Sequence, residues 1–123
     1  MVINFPSSNA RQFAVITFDN VDQTTPFDTA VFTSTPNGGN PSATVTTTVS
    51  NELILYFLFY NANSLVYTPN DSELYKVQNQ PNVYTNHGAV HAQTTPATVS
   101  VGGTVSSGDA TGDLLAIPIR PAI

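Results

Sequence analysis

The feature that most restricts this chain is the run Leu53-Ile54-Leu55-Tyr56-Phe57-Leu58-Phe59-Tyr60, in which no charge or chain breaker interrupts a series of large apolar residues. A helix that crosses a bilayer needs about 20 such residues, so this run is too short to span a membrane in that way. Its aromatic content, and the Asn51-Glu52 and Asn61-Ala62-Asn63 that bound it, make it a strand. Successive side chains of a strand point to opposite faces, so both faces of this one are apolar. One face meets a core. The other must be covered by a second layer, a loop or another chain, because a bare stripe of Ile54, Tyr56, Leu58 and Tyr60 would form an unusually large apolar patch. Those four residues are the expected interface.

Elsewhere the chain is cut too often for helices. Gly, Pro or β-branched clusters break every stretch in which apolar residues approach a helical period, so little or no helix is expected. Strands are expected near Val2 to Phe5, Gln12 to Phe18, Ala30 to Thr33, Ala43 to Val49, Glu52 to Tyr60, Ser64 to Tyr67, Leu74 to Gln78, Val83 to Gln93, Thr98 to Val105 and Asp113 to Ile119. The separators have mechanisms of their own. Pro36-Asn37-Gly38-Gly39-Asn40-Pro41, Pro69-Asn70-Asp71-Ser72 and Gly102-Gly103 supply fixed or positive φ angles suited to turns. Phe13 to Phe18 is apolar on both faces, whereas Thr44 to Thr48 and Val99 to Val105 alternate Val with Thr, Ser or Gly as half-buried strands do. The pattern is that of an all-β antiparallel sandwich, jelly-roll-like, with about 8 to 10 short strands in a single domain over residues 1–123.

Charge narrows the partners. Only 9% of residues are charged, against about 25% in an ordinary soluble domain, and Thr, Asn, Ser and Gln take up the difference. With 3 Lys plus Arg against 8 Asp plus Glu, the net charge is -5. Arg11, Lys76 and Arg120 are scattered, so no basic strip exists to neutralise phosphates, and neither nucleic acid nor an anionic membrane is an expected partner. There is no cysteine for a disulfide, a thiolate metal site or a thiol nucleophile. The opening Met1-Val2-Ile3-Asn4-Phe5-Pro6 lacks the basic and apolar regions of a secretory signal, so export by that route is not expected.

Few residues are equipped for chemistry. His87 and His91 would share one face of a strand with their Cα atoms about 13 Å apart, too far for one ion to bridge, and are expected as exposed polar positions. Carboxylates gather in Asp19 to Asp28 and in Asp109 to Asp113. Calcium takes six to eight oxygens, so Asp19, Asp22 and Asp28 are the candidate ligands, although Asp and Asn also build turns by bonding their own backbone. A glycosidase pair would need two carboxyls about 5 to 9.5 Å apart in a cleft, which the sequence does not place. Nucleophile elbow, phosphate loop, dinucleotide fingerprint and metalloprotease helix are all missing. No enzyme activity and no cofactor are expected, calcium apart.

The segment Val2 to Asp22, with Phe5-Pro6-Ser7, Phe13 to Phe18 and the corner Asn20-Val21-Asp22, followed by Pro26-Phe27-Asp28, resembles a pattern of bacteriophage and bacterial surface β-sandwich domains. Thr46 to Leu55, with Asn51-Glu52-Leu53, is similar to an edge of that family, and Gly112 to Ala122 to its closing strand. The likeness covers nearly the whole chain but about the last two thirds of the usual domain. The corner carries Asn20 where Gly is usual, and the domain's opening strands have no counterpart, which predicts an uncovered sheet edge or core face. The resemblance implies a structural or attachment role and transfers no catalytic residue. The expectation is a non-enzymatic virion surface protein, a phage capsid cement or decoration protein that forms a homo-oligomer and contacts capsid or other virion proteins. The alternative is a carbohydrate- or receptor-binding module of a tail or surface adhesin, with exposed aromatics stacking on a glycan.

Overall fold

The structure, a computed structural model, describes residues 14–36, 39–61, 66–78, 84–106 and 111–122. They form eight strands and, among the described residues, no helix: β1 (Val31–Thr35), β2 (Ser42–Thr46), β3 (Glu52–Asn61), β4 (Tyr67–Pro69), β5 (Ser72–Gln78), β6 (Tyr84–Gln93), β7 (Thr98–Val105) and β8 (Gly112–Ile119). Two antiparallel sheets result, a large one in the order β1-β8-β3-β6-β5 and a small one in the order β2-β7-β4. The pairs β1 with β8, β2 with β7 and β3 with β6 are what a long hairpin makes when it is rolled up on itself, so the sandwich is wound as a jelly roll.

Alternating burial shows how the sequence fixes the layers. In β2, Ala43 and Val45 point into the core while Ser42, Thr44 and Thr46 point out. Across from them on β7, Ser100 and Thr98 bond Ser42 at 2.8 Å and Thr46 at 2.9 Å through their hydroxyls. The outer side of the small sheet is thus an uncharged hydroxyl surface. The core lies between the sheets, with Val45 and Val101 of the small sheet against Ile54, Tyr56, Leu58, Leu114 and Ala116 of the large one.

Ile54, Tyr56, Leu58 and Tyr60 are not an interface. All four are at most 1% exposed and are enclosed between the two sheets of the same chain. The parity is the reverse of the expected one, and the reason is polar. Tyr56 and Tyr60, whose hydroxyls look suited to a wet face, satisfy them inside the molecule on Asp71, on the Gly102 carbonyl and on the Gly39 carbonyl. The outward face of β3 is instead Leu53, Leu55, Phe57 and Phe59.

Other expectations also change. Gly102 and Gly103 lie inside β7, not at a turn. Gly102 has φ 150°, and a Cβ there would run into the Pro41 carbonyl, so this strand position demands glycine. Ala14 to Phe18 forms no strand; the segment leads to a corner at Asn20, whose φ of 58° is left-handed, a conformation Asn tolerates. From there the chain touches β8 and its extension through bridges of Val21 to Pro121 and Phe27 to Ile119. The expected strand Val2 to Phe5, and Gln12 and Phe13, lie outside the described residues.

Candidate functional site

The outward face of the large sheet is built from rows of side chains in register. Phe32 stands opposite Leu115, Leu115 opposite Phe57, Phe57 opposite Gly88 and Gly88 opposite Tyr75, a row that crosses all five strands. Glycine at position 88 makes room for the Tyr75 ring, which lies where a Cβ would project and bonds Asn86 Oδ1 at 2.9 Å through its hydroxyl. Phe57 and Tyr75 pack as tilted rings with centroids 6.3 Å apart. Coverage of this face is uneven. Leu55 and Ile119 are buried, and Phe18 and Val21 line a cavity of about 270 Å³ with Leu53 and Ile119, so the segment before β1 roofs that end. Toward the opposite end Phe59 is 47% exposed, and Phe32, near the β1 edge, is 64% exposed. Phe32 and Phe59 are thus large apolar groups of this face that stay open to solvent.

A polar knot ties the corner segment to the core. The Asp28 carboxylate accepts from Arg120 Nε at 2.9 Å and from Nη2, and its other oxygen accepts from the Thr48 hydroxyl at 2.6 Å and the Thr48 N–H at 3.0 Å. Glu52 lies beside it, wholly buried, with Oε1 accepting from Thr48 N–H at 3.0 Å and Val49 N–H at 2.8 Å. Burial pushes the Glu52 carboxyl above its ordinary value despite those bonds, and the neighbouring Asp28 charge adds to the push. Burial also presses Asp28 upward, but the donors from Thr48 and Arg120 outweigh it and hold that group below the usual carboxylate range. The two carboxyls of the knot are thus pushed in opposite directions, Glu52 up by its burial and Asp28 down by its donors.

This knot and the adjoining turn account for the candidate calcium ligands. Asp28 is occupied by the guanidinium. Asp22 accepts from the backbone of Thr24 at 2.7 Å and of Thr25 at 3.0 Å, which hold its carboxyl below the ordinary value, as in an Asx turn. Asp19 is exposed in a bend. Among the described residues, no group of three His, Cys, Asp or Glu side chains is arranged to hold a metal ion.

The histidines also differ from expectation. Both point inward from β6, since His87 pairs with Leu58 and His91 with Ile54. His87 is 1% exposed, with Nδ1 3.3 Å from Glu73 Oε2 and its ring edge-on to Tyr67 at a centroid distance of 5.1 Å. Burial, with Lys76 nearby, holds its pKa below the usual value against the pull of Glu73. His91 Nδ1 lies 2.8 Å from Asp71 Oδ1, and that bond holds its pKa above the usual value. The two His of β6 among small and apolar residues did not by themselves show that their parity would face the core; the carboxylates of the turn before β5 and of β5 itself, Asp71 and Glu73, are the signal that was there to read. These groups bind one another.

The chain matches no known family, no curated protein and no solved structure at a significant level.

Proposed function

We propose that this chain is a non-enzymatic structural protein of a virus particle, a bacteriophage capsid cement or decoration protein that acts on the particle surface as a symmetric homo-oligomer. The observation that carries the reading is the apolar outward face of the large sheet, where Phe32 and Phe59 remain open to solvent on a chain with very few charges. A second copy related by a two-fold axis would present the same row and bury it, and closed symmetry would multiply weak contacts on a repeating shell. The jelly-roll winding supports the reading by analogy, since viral capsid domains use it, as do lectins. The two histidines are bonded to Glu73 and Asp71 within the fold, which leaves little for general acid or base work.

The test is solution mass by light scattering over a concentration series, with co-sedimentation on purified phage capsids, for the wild type and for Phe32→Ser/Phe59→Ser. A multimer that sediments with capsids, and a folded variant that is monomeric and stays in the supernatant, are the expected results. A wild-type monomer that ignores capsids overturns the proposal. One observation favours the alternative glycan- or receptor-binding module: Phe27 is 59% exposed one residue beyond the polar loop Asp22 to Pro26. Binding on a glycan array that Phe27→Ala removes would select that module instead.

A further inference from the structure

The winding that pairs β1 with β8, β2 with β7 and β3 with β6 places β4 beside β5, yet β5 leaves the small sheet and joins β6 at the edge of the large one. The chain changes sheet at Asn70-Asp71. The strands on either side of that turn form an arm across one open side of the sandwich, and each carboxylate near the turn meets a histidine of β6. Asp71 binds His91 through Oδ1 and accepts from the Tyr56 hydroxyl at 3.1 Å through Oδ2, while Asn70 N–H donates to the Gly102 carbonyl at 2.9 Å. Glu73 binds His87.

We propose that the β4–β5 arm is an acid-released strap, with buried His87 as its trigger and the Asp71–His91 pair as its fixed end. Every element packed on His87 bears on its proton. From β5, Lys76 stands opposite it in register and repels a charge there, and the 42%-exposed Glu73 side chain is the one group among the described residues that favours it. From β4, Tyr67 presents a ring edge, and its hydroxyl, like His87 Nε2, is buried without a hydrogen-bond partner among the described residues. From β3, Leu58 lies opposite, between Tyr56 and Tyr60 on the same face. A second proton on the ring is therefore costly while the arm is closed and cheap once it lifts.

The two histidines act with opposite sign. His87, held below its unfolded value of 6.5, contributes stability that is complete above that pH and is lost as the pH falls through the lower folded value. His91, held above 6.5, contributes stability that is complete below that pH and is lost as the pH rises through the higher folded value. Acid therefore tightens the turn and loosens β5.

The test is residue-resolved amide hydrogen exchange at about pH 7.5 and about pH 5, expressed as protection factors so that intrinsic exchange is removed. Protection of Glu73 to Val77 is expected to fall at the lower pH, by at most about thirtyfold, the factor by which a free imidazole at about pH 5 favours its protonated form, while β3 and β8 keep theirs. His87→Gln is expected to abolish that loss. Lys76→Gln, an exposed change that leaves the core intact, is expected to reduce it. Equal protection at both pH values, an equal loss in β3 and β8, or a wild-type acid response in Lys76→Gln overturns the strap.

Discussion

At the scale of single residues, Glu52 is the position where the sequence and the packing are in sharpest tension. It opens the inner face of β3, where every following alternate residue is apolar, and it is fully buried. Its worth lies in Oε1, which accepts the N–H groups of the tight turn before the strand, and its cost lies in a charge that burial and Asp28 disfavour. Because the folded value is raised above 4.5, the contribution of this group is complete below that pH and is lost as the pH rises through the folded value. Glu52→Gln keeps an acceptor and removes the charge, so we expect it to equal or exceed the wild type in stability at about pH 8 and to gain nothing at about pH 4. Glu52→Ala leaves Val49 N–H without its acceptor and should cost about 1–3 kcal/mol. Urea unfolding at both pH values reads the two variants; a Gln variant as damaged as the Ala variant would show that the carboxylate itself is required.

At the scale of elements, legibility follows how much one strand's own pattern decides. The Val and Thr alternation of β2 and β7 names its faces unaided, and β7 spans the expected residues. β3 was legible as a strand but not in its orientation, because Leu53 to Tyr60 is apolar at both parities and the partners that quench Tyr56 and Tyr60 come from distant segments. Ala14 to Phe18 has strand-like composition but pairs with no described strand, and β propensity is realised only at an available edge. The buried knot of Asp28, Glu52 and Arg120 was not legible either, since its members belong to three separate segments. Pairing also explains Gly88, which reads in sequence as a weak point of β6 and is the floor under Tyr75. Gly88→Ala should displace that ring and its bond to Asn86, at about 1–3 kcal/mol. Tyr75→Leu in the same chain should remove much of the conflict, so the double variant is expected to lose less than the two single losses combined, as a thermal double-mutant cycle would measure. Simple additivity would mean that the ring does not depend on the glycine.

At the scale of the whole molecule, the winding decides how the parts must come together. β8 lies between β1 and β3, and the bonds of β8 and of Arg120 just after it reach far along the chain: Ser34 and Asp113 are 79 residues apart, Asp28 and Arg120 92. The β5–β6 pair is local by comparison, with Tyr75 and Asn86 11 residues apart. Closing the long spans spends chain entropy before their contacts give anything back, so refolding should take on the order of milliseconds to seconds, slow for a chain of this size. The same asymmetry orders the events. Leu114, fully buried on β8, makes its contacts only when the last strand is laid down between its neighbours. Leu114→Ala is therefore expected to act mainly by speeding unfolding, whereas Tyr75→Leu, at a pairing formed early, should mainly slow refolding. Stopped-flow chevrons of the two variants separate these outcomes. If Leu114→Ala slowed refolding as much as it destabilised the protein, β8 would have to be in place at the transition state, and the roll would close from its ends inward.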